Sequence, residues 1–309
     1  MNRLCEILNI KYPIIQGGMA WIATAELAAA VSNAGGLGII GAGNAPADIV
    51  EKEIIKAKEL TNKPFGVNVM LISPFVDDIM ELIIKHDIKV ITTGAGNPGK
   101  YMPMLKEKDI KVIPVVPSVA LAKRMQKNGA DAIIVEGTEA GGHIGELSTM
   151  VLVPQICDVV DIPVVAAGGI VDGRGIAASF ALGAQAVQIG TRFVCSTESI
   201  AHDNYKEAII NAKDRDAIVT GRSTGHPVRL LKNKLAKDMI KLEKQNEDPK
   251  KIEELGVGSL RKAVIEGDVK DGSIMSGQVA GMINDIKSCE EIITDMMNMT
   301  KEVISNLKF

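Results

Sequence analysis

Eight strand-length apolar runs, each followed by a helical pattern or by room for one, constrain this chain more than any other feature. They are Pro13–Gln16, Leu37–Ile40, Gly66–Met70, Lys89–Thr92, Lys111–Val116, Ala132–Val135, Pro163–Ala167 and Ala186–Ile189. Their continuous apolar character marks strands buried on both faces, the habit of parallel sheets covered by helices. A count of eight favours an α/β fold of the closed (β/α)8 kind, a TIM barrel, over an open doubly wound sheet. The open sheet would want G-x-G-x-x-G at its first crossover. Gly41-Ala-Gly43 is too short for that, and no acidic residue follows at the right distance. Pro46, Ser73-Pro74 and Ser118 read as helix starts, with Ser73 and Ser118 as capping residues.

Aromatic residues form 3% of the 309, so the core must be built from Ile, Val, Leu, Ala and Met. Thirty-five basic and 38 acidic residues leave a net charge of −3, which gives no reason to invoke nucleic acid. Cys5, Cys157, Cys195 and Cys289 show no C-x-x-C pair and no metal-ligand spacing. They read as free thiols in a reducing compartment, with no metal site. The start Met-Asn-Arg-Leu-Cys-Glu lacks the apolar stretch of a signal peptide. No run approaches the roughly 18 apolar residues of a membrane span. The expectation is a soluble, cytoplasmic protein with no membrane partner.

The pattern changes after residue 195. Glu207–Lys213 and Val228–Lys244 read as charged helices, Gln245–Lys251 as a polar linker, and Gly256–Gly281 as a glycine-rich stretch. Ser288–Ser305 then reads as the last barrel helix. The implied division is a barrel of residues 1–197 plus 286–309, with a smaller, mainly helical insertion, 198–285, acting as lid or substrate platform.

Barrel chemistry sits at the C-terminal ends of the strands. The first run ends in Gln16-Gly17-Gly18-Met19-Ala20, the third contains Asn68, and the sixth runs into Glu136-Gly-Thr-Glu-Ala-Gly141-Gly142-His143. The seventh ends in Gly168-Gly169 and the eighth in Gly190-Thr191. Backbone N–H groups of these last four residues can converge on a phosphate. Glycine-rich loops after the first and sixth runs suit a broad, flat ligand, and flavin mononucleotide (FMN) fits that description. Asn68 has a donor and an acceptor for the flavin pyrimidine, or else bonds a neighbouring turn. Glu136 binds ribityl hydroxyls or forms an ion pair. Gly141 and Gly142 let the backbone approach the ring, and His143 titrates near neutrality, as a general acid or base must. Trp21 either walls the flavin or packs in the core, and Arg192 reaches phosphate or pairs with a carboxylate. His226 reads as a cap or structural residue; His86 and His202 carry no signal.

Tyr12-Pro-Ile-Ile-Gln-Gly-Gly-Met-Ala20, Phe65-Gly-Val-Asn-Val-Met70, Glu136-Gly-Thr-Glu-Ala-Gly-Gly-His143, Ala166-Ala-Gly-Gly-Ile170, Gln188-Ile-Gly-Thr-Arg-Phe193 and Ser276-Gly-Gln-Val-Ala-Gly281 resemble the FMN-dependent enoyl-acyl-carrier-protein reductase II family (FabK type). That family lies within the nitronate monooxygenase superfamily. The resemblance spans essentially the whole chain, and Thr93-Gly-Ala-Gly-Asn-Pro98 and Val115-Val-Pro-Ser-Val-Ala120 lean towards the reductase branch. It implies an enzyme of type II fatty acid synthesis. NADH or NADPH would reduce FMN, and a hydride would then pass to Cβ of a trans-2-enoyl thioester. His143 would be the catalytic residue, protonating Cα or holding the thioester carbonyl. The resemblance also implies a homodimer and suggests a monovalent cation.

From Arg222 to Lys251 nine basic residues face four acidic ones, a local charge of +5. Such a stripe suits docking of an acidic acyl carrier protein, or is simply a solvated helix face. Two other functions compete: a nitronate monooxygenase using FMN and oxygen, and a non-catalytic FMN-binding or sensing module.

Overall fold

The computed structural model describes residues 2–307. Eight parallel strands form one sheet: β1 (Ile14–Gln16), β2 (Gly38–Gly43), β3 (Phe65–Met70), β4 (Val90–Gly94), β5 (Lys111–Val116), β6 (Ile133–Glu136), β8 (Val164–Ala167) and β9 (Ala186–Ile189). Between β6 and β8 the chain makes the two-residue strand β7 (Gly142–His143), which belongs to a second sheet. The order of the large sheet is β1-β9-β8-β6-β5-β4-β3-β2, so β1 and β2 are its ends. They close on each other through Leu37, just ahead of β2: Leu37 N donates to Ile14 O and Gln16 N to Leu37 O, both at 2.9 Å. The fully buried Gln16 side chain extends that seam, its Oε1 accepting from Ile39 N at 3.0 Å. The expected TIM barrel is therefore present, and a side-chain amide completes its last edge.

The pleat sorts the strand residues into two cores. Ile15, Leu37, Ile39, Val90, Ile113, Ile134, Val165 and Ala186 pack with one another inside the barrel. Their neighbours Ile14, Val112, Ile133, Val135, Val164 and Val187 pack outwards with the helices. The helix Arg3–Leu8, capped by Asn2, sends Leu4 and Leu8 into the interior cluster. Asn2 Nδ2 also donates to Gln185 O, immediately before β9, at 2.6 Å. This helix thus plugs the N-terminal end of the barrel, and the opposite mouth is left for chemistry.

Helix starts follow the expected residues with one exception. Ala47–Leu60 begins after Pro46, and Val119–Lys127 is capped by Ser118. Ser73-Pro74, in contrast, forms a turn ahead of the helix Val76–Lys85; the Ser73 hydroxyl accepts from Phe75 N at 3.3 Å. Ser288 and Glu291 form a reciprocal capping box at the start of the last helix, Cys289–Asn306. That helix packs on Gly173–Ala181, with Thr300 Oγ1 3.4 Å from Gly173 O.

After β9 the chain leaves the barrel for the helices Asp203–Ile210, Lys234–Lys244, Pro249–Gly256 and Ser259–Glu266 and the strands β10 (Ala217–Thr220) and β11 (Val228–Leu231). The expected helix Val228–Lys244 is therefore two elements. Val228–Leu231 pairs antiparallel with the β-prone Ala-Ile-Val-Thr of β10, and Asn233 then caps a fresh helix by accepting from Ala236 N at 3.0 Å. The second sheet runs β10-β11-β7, so the histidine loop of the barrel is the third strand of the insertion's sheet. All four cysteines are free. Among the described residues no helix is long and apolar enough to cross a membrane.

Candidate active site

At the barrel mouth the inward positions change from apolar to polar. Alternation from the interior residue Ile134 turns Glu136 inwards, because β6 extends one residue beyond the expected run. On β3 and β4, Asn68 Nδ2 donates to Thr92 Oγ1 at 2.9 Å. Asn68 Oδ1 and the Glu136 carboxyl have no hydrogen-bond partner among the described residues. Burial without such a partner pushes the Glu136 carboxyl up to about 7. The ion pair considered for Glu136 is thus not formed.

Gly168 and Gly169 follow β8, with φ +91° and +74°. At Gly168 a Cβ would stand 2.9 Å from Gly137 O, so both the conformation and the close approach call for glycine. Gly190 and Thr191 follow β9 on the neighbouring strand. The N–H groups of all four residues lack an acceptor among the described residues. Two adjacent turns with unpaired donors form a cradle suited to an anionic group. Arg192 does not line it: the guanidinium donates to Asp285 O at 2.9 Å and pairs with Asp285 Oδ1 at 2.5 Å.

Gly17–Ala20 follow β1 on the other side of β9. Trp21, the next residue, is neither core nor enclosed. It is 48% exposed, holds φ +67°, and has the Arg261 guanidinium 5.7 Å from its ring centre.

Gly141 also makes room for the insertion. A Cβ on Gly141 would lie 2.6 Å from Ser276 C, so the missing side chain admits the insertion backbone. That segment, 275–278, is pinned on both sides. Gly277 N donates to Thr191 Oγ1 at 3.0 Å, Gln278 N to Glu139 O at 3.0 Å, and Tyr205 Oη to Met275 O at 2.8 Å. The Thr191 hydroxyl is therefore occupied in holding the strap, while its N–H remains available.

His143 sits opposite Val228 in the second sheet, and Gly142 sits opposite Arg229. Arg229 is buried on the far face, where its guanidinium donates twice to Thr138 O at 3.1 and 2.9 Å. Sequence reading counts Arg229 among the nine basic residues of the stripe, whereas the structure buries it. The exposed His143 has no hydrogen-bond partner among the described residues. Desolvation lowers its pKa below the ordinary histidine value, and the neighbouring His226 lowers it further. Both effects favour the neutral imidazole. His226 stands beside His143, and its ring makes no capping bond. It is instead His202 that caps a helix, Nδ1 accepting from Asn204 N at 3.1 Å. His86 bonds Glu51 at 2.7 Å.

Glu139 was not singled out. It caps the helix Thr149–Cys157 by accepting from Thr149 N at 2.9–3.0 Å, and the Thr149 hydroxyl, 2.9 Å from Gly168 O, links the histidine loop to the turn after β8. Among the described residues no cluster of three or more His, Cys, Asp or Glu is placed to hold a metal ion.

The chain is similar over nearly its whole length to known proteins. FabK from Thermotoga maritima superposes with a TM-score of 0.96 at 52% identity, covering 99% of this chain and 97% of that one. A probable nitronate monooxygenase of Staphylococcus saprophyticus is 35% identical over 98% of this chain and 99% of its own. A hydroxy-methyl-oxo-octahydroindene-carboxyl-CoA dehydrogenase of Rhodococcus jostii is 32% identical over 94% and 93%. Residues 1–86 and 73–299 match the family model for nitronate monooxygenase, and the chain belongs to that family.

Proposed function

We propose that this protein is an FMN-dependent enoyl-acyl-carrier-protein reductase that takes its electrons from NADH or NADPH. The observation that carries the reading is the 52% identity and near-complete superposition with FabK from Thermotoga maritima. Members of the family are FMN-dependent flavoproteins, and the mouth suits that cofactor. The unpaired N–H groups of Gly168, Gly169, Gly190 and Thr191 would hold its phosphate. Asn68 Oδ1 would meet the pyrimidine edge, and Glu136 the ribityl hydroxyls. The Gly17–Ala20 segment, Gly141 and Gly142 complete the candidate contact set. When bound, FMN supplies two-electron hydride chemistry.

The residues of the chain then have three tasks. Glu136, close to half-protonated at neutral pH, can donate or accept a hydrogen bond. The strap 275–278 ties the sixth-strand loop to the turn that would hold the phosphate, through Gln278 N on Glu139 O and Gly277 N on Thr191 Oγ1. His143 presents an imidazole to the thioester, where it can polarise the carbonyl or move a proton at Cα. The segment 198–285 acts as the substrate lid. An acyl carrier protein delivers the chain, and a cytoplasmic homodimer and a monovalent cation complete the reading.

The family model and the staphylococcal relatives keep oxygen-dependent oxidation of nitronates as the rival reading. One experiment separates them. The flavin-loaded protein is mixed anaerobically with NADH or NADPH, with and without crotonyl-CoA, and aerobically with an alkyl nitronate. Crotonyl-dependent nicotinamide oxidation is expected. Nitronate-dependent oxygen uptake without enoyl reduction would select the monooxygenase, and a colourless protein that takes up no FMN would reject both. His143→Ala should retain FMN and lose roughly 10²-fold or more in enoyl reduction; near wild-type turnover would remove His143 from the chemistry.

A further inference from the structure

The small sheet joining barrel and insertion carries two histidines on one face. His143 lies directly opposite Val228, and Ile144 N donates to Pro227 O at 3.1 Å, so the pairing continues towards His226. Directly opposed residues of an antiparallel pair share a face, and so do residues two apart along a strand. His143, Val228 and His226 therefore stand on the same side, with the two histidines as diagonal neighbours at about 7 Å. The other face is turned into the protein: Arg229 donates to Thr138 O, and Gly142 lies against Met275. The turn 221–225 steadies the approach of His226. Both end glycines are left-handed, and the Thr224 hydroxyl accepts from His226 N at 3.1 Å. Both imidazoles are exposed, and neither ring has a hydrogen-bond partner among the described residues.

We propose that His226 supplies protons to His143, the two imidazoles together holding one proton for delivery to the α-carbon of the enoyl thioester. This rests on the reductase reading above. In the balanced step NAD(P)H is the two-electron reductant: bound FMN would supply the hydride that forms the C–H bond at Cβ, with NAD(P)⁺ as the oxidised product. The π pair of the C=C bond moves to Cα as the enolate. The imidazolium N–H bond breaks as the Cα–H bond forms. The neutral pair then takes a proton from water at the exposed His226. His226 stands on the same face as His143 and is open to solvent, so it can refill His143 after each turnover.

The other charged groups around the pair are already engaged or lie elsewhere. Glu146 on the histidine loop pairs with Arg222 on the opposite turn at 3.1 Å. Glu139 is taken up by Thr149, and Glu243 from the adjoining helix lies 3.2 Å from Ser223 N. Glu136 sits at the base of the loop, directed into the barrel. His226 is thus the group placed to act on His143 as a positioning and proton-supplying residue.

The test uses the flavin-loaded enzyme and the variants His226→Gln and His226→Asn. For crotonyl-CoA reduction kcat should fall roughly tenfold or more, well beyond any change in the rate of flavin reduction by NAD(P)H. Added imidazole should restore part of it. Histidine NMR titration should show the His143 midpoint rising in His226→Gln, since a neighbouring positive charge is removed. Wild-type kcat with an unaltered pH profile would overturn the proposal, as would an equal loss in both half-reactions without imidazole rescue. If the wild-type enzyme reduces no enoyl thioester, the reductase reading falls. The NMR titration then still judges the pair: an unmoved His143 midpoint overturns it and a raised one supports it.

Discussion

Gly18 lies flat against Asn68: a Cβ on Gly18 would stand 2.3 Å from Asn68 Cβ and 2.5 Å from its Cγ. The first barrel loop and the third strand therefore meet through a missing side chain, and Asn68 is held between Gly18 and Thr92. Gly18→Ala must displace the amide that the proposed function assigns to the flavin. Overpacking of this kind costs about 1–3 kcal/mol. The variant should fold but purify with much less FMN, read from the ratio of flavin to protein absorbance. A full complement of flavin with unchanged affinity would show that Asn68 does not hold the ring.

Glu136 gives a pH dependence whose sign is fixed by its surroundings. Its folded pKa, about 7, lies above the ordinary glutamate value of 4.5. The native state accordingly binds more protons than the unfolded state between those pH values. The stabilisation is complete below about 4.5 and is lost as pH rises through 7. In FMN-free protein the loss between pH 5 and pH 8 should be on the order of 3 kcal/mol by urea unfolding. Glu136→Gln, which cannot ionise, should remove this slope and leave the variant the more stable of the two at pH 8. Parallel pH profiles for the two proteins would mean that the carboxyl is solvated or paired.

How much of this was legible beforehand differs from element to element, and the reasons are physical. The eight barrel strands follow from local composition, because a strand buried on both faces must be apolar throughout. Glycines at turns could be read as glycines but not as to what they avoid. Gly168 responds to the carbonyl of Gly137, and Gly141 to the insertion backbone more than 130 residues away, so the cause of each is tertiary. Val228–Leu231 reads as helix in sequence because four residues are too few to show a period of their own and they run straight into the amphipathic Lys234–Lys244. Its strand state comes from pairing with β10 and with Gly142–His143. The partnership of His143 with His226 was invisible for the same reason: it exists only through that register. Arg192 shows the converse, a residue beside the turn after β9 in sequence whose charge is spent on Asp285.

The basic segment of the insertion leads to a last expectation. Four ion pairs engage its basic residues: Arg222 with Glu146, Lys234 with Asp238 and with Asp271, and Lys251 with Glu247. Lys237, Lys241 and Lys244 are exposed, have no carboxylate partner among the described residues, and recur at helical spacing on Lys234–Lys244. Glu243 of the same helix lies against Ser223, three residues before His226, which places the stripe beside the proposed proton pair. An acidic carrier protein steered there would bring its acyl chain to the His143 side of the mouth. Changing all three lysines to glutamate should leave the fold intact, since none is buried or paired. The apparent KM for a carrier-bound enoyl substrate should rise roughly tenfold or more at low salt, and the effect should shrink as salt is added. Crotonyl-CoA should be reduced with a nearly unchanged KM, because a small thioester has no need of the stripe. An equal rise for both substrates would place the charges in general substrate attraction, and no rise for either would make the stripe a solvated helix face.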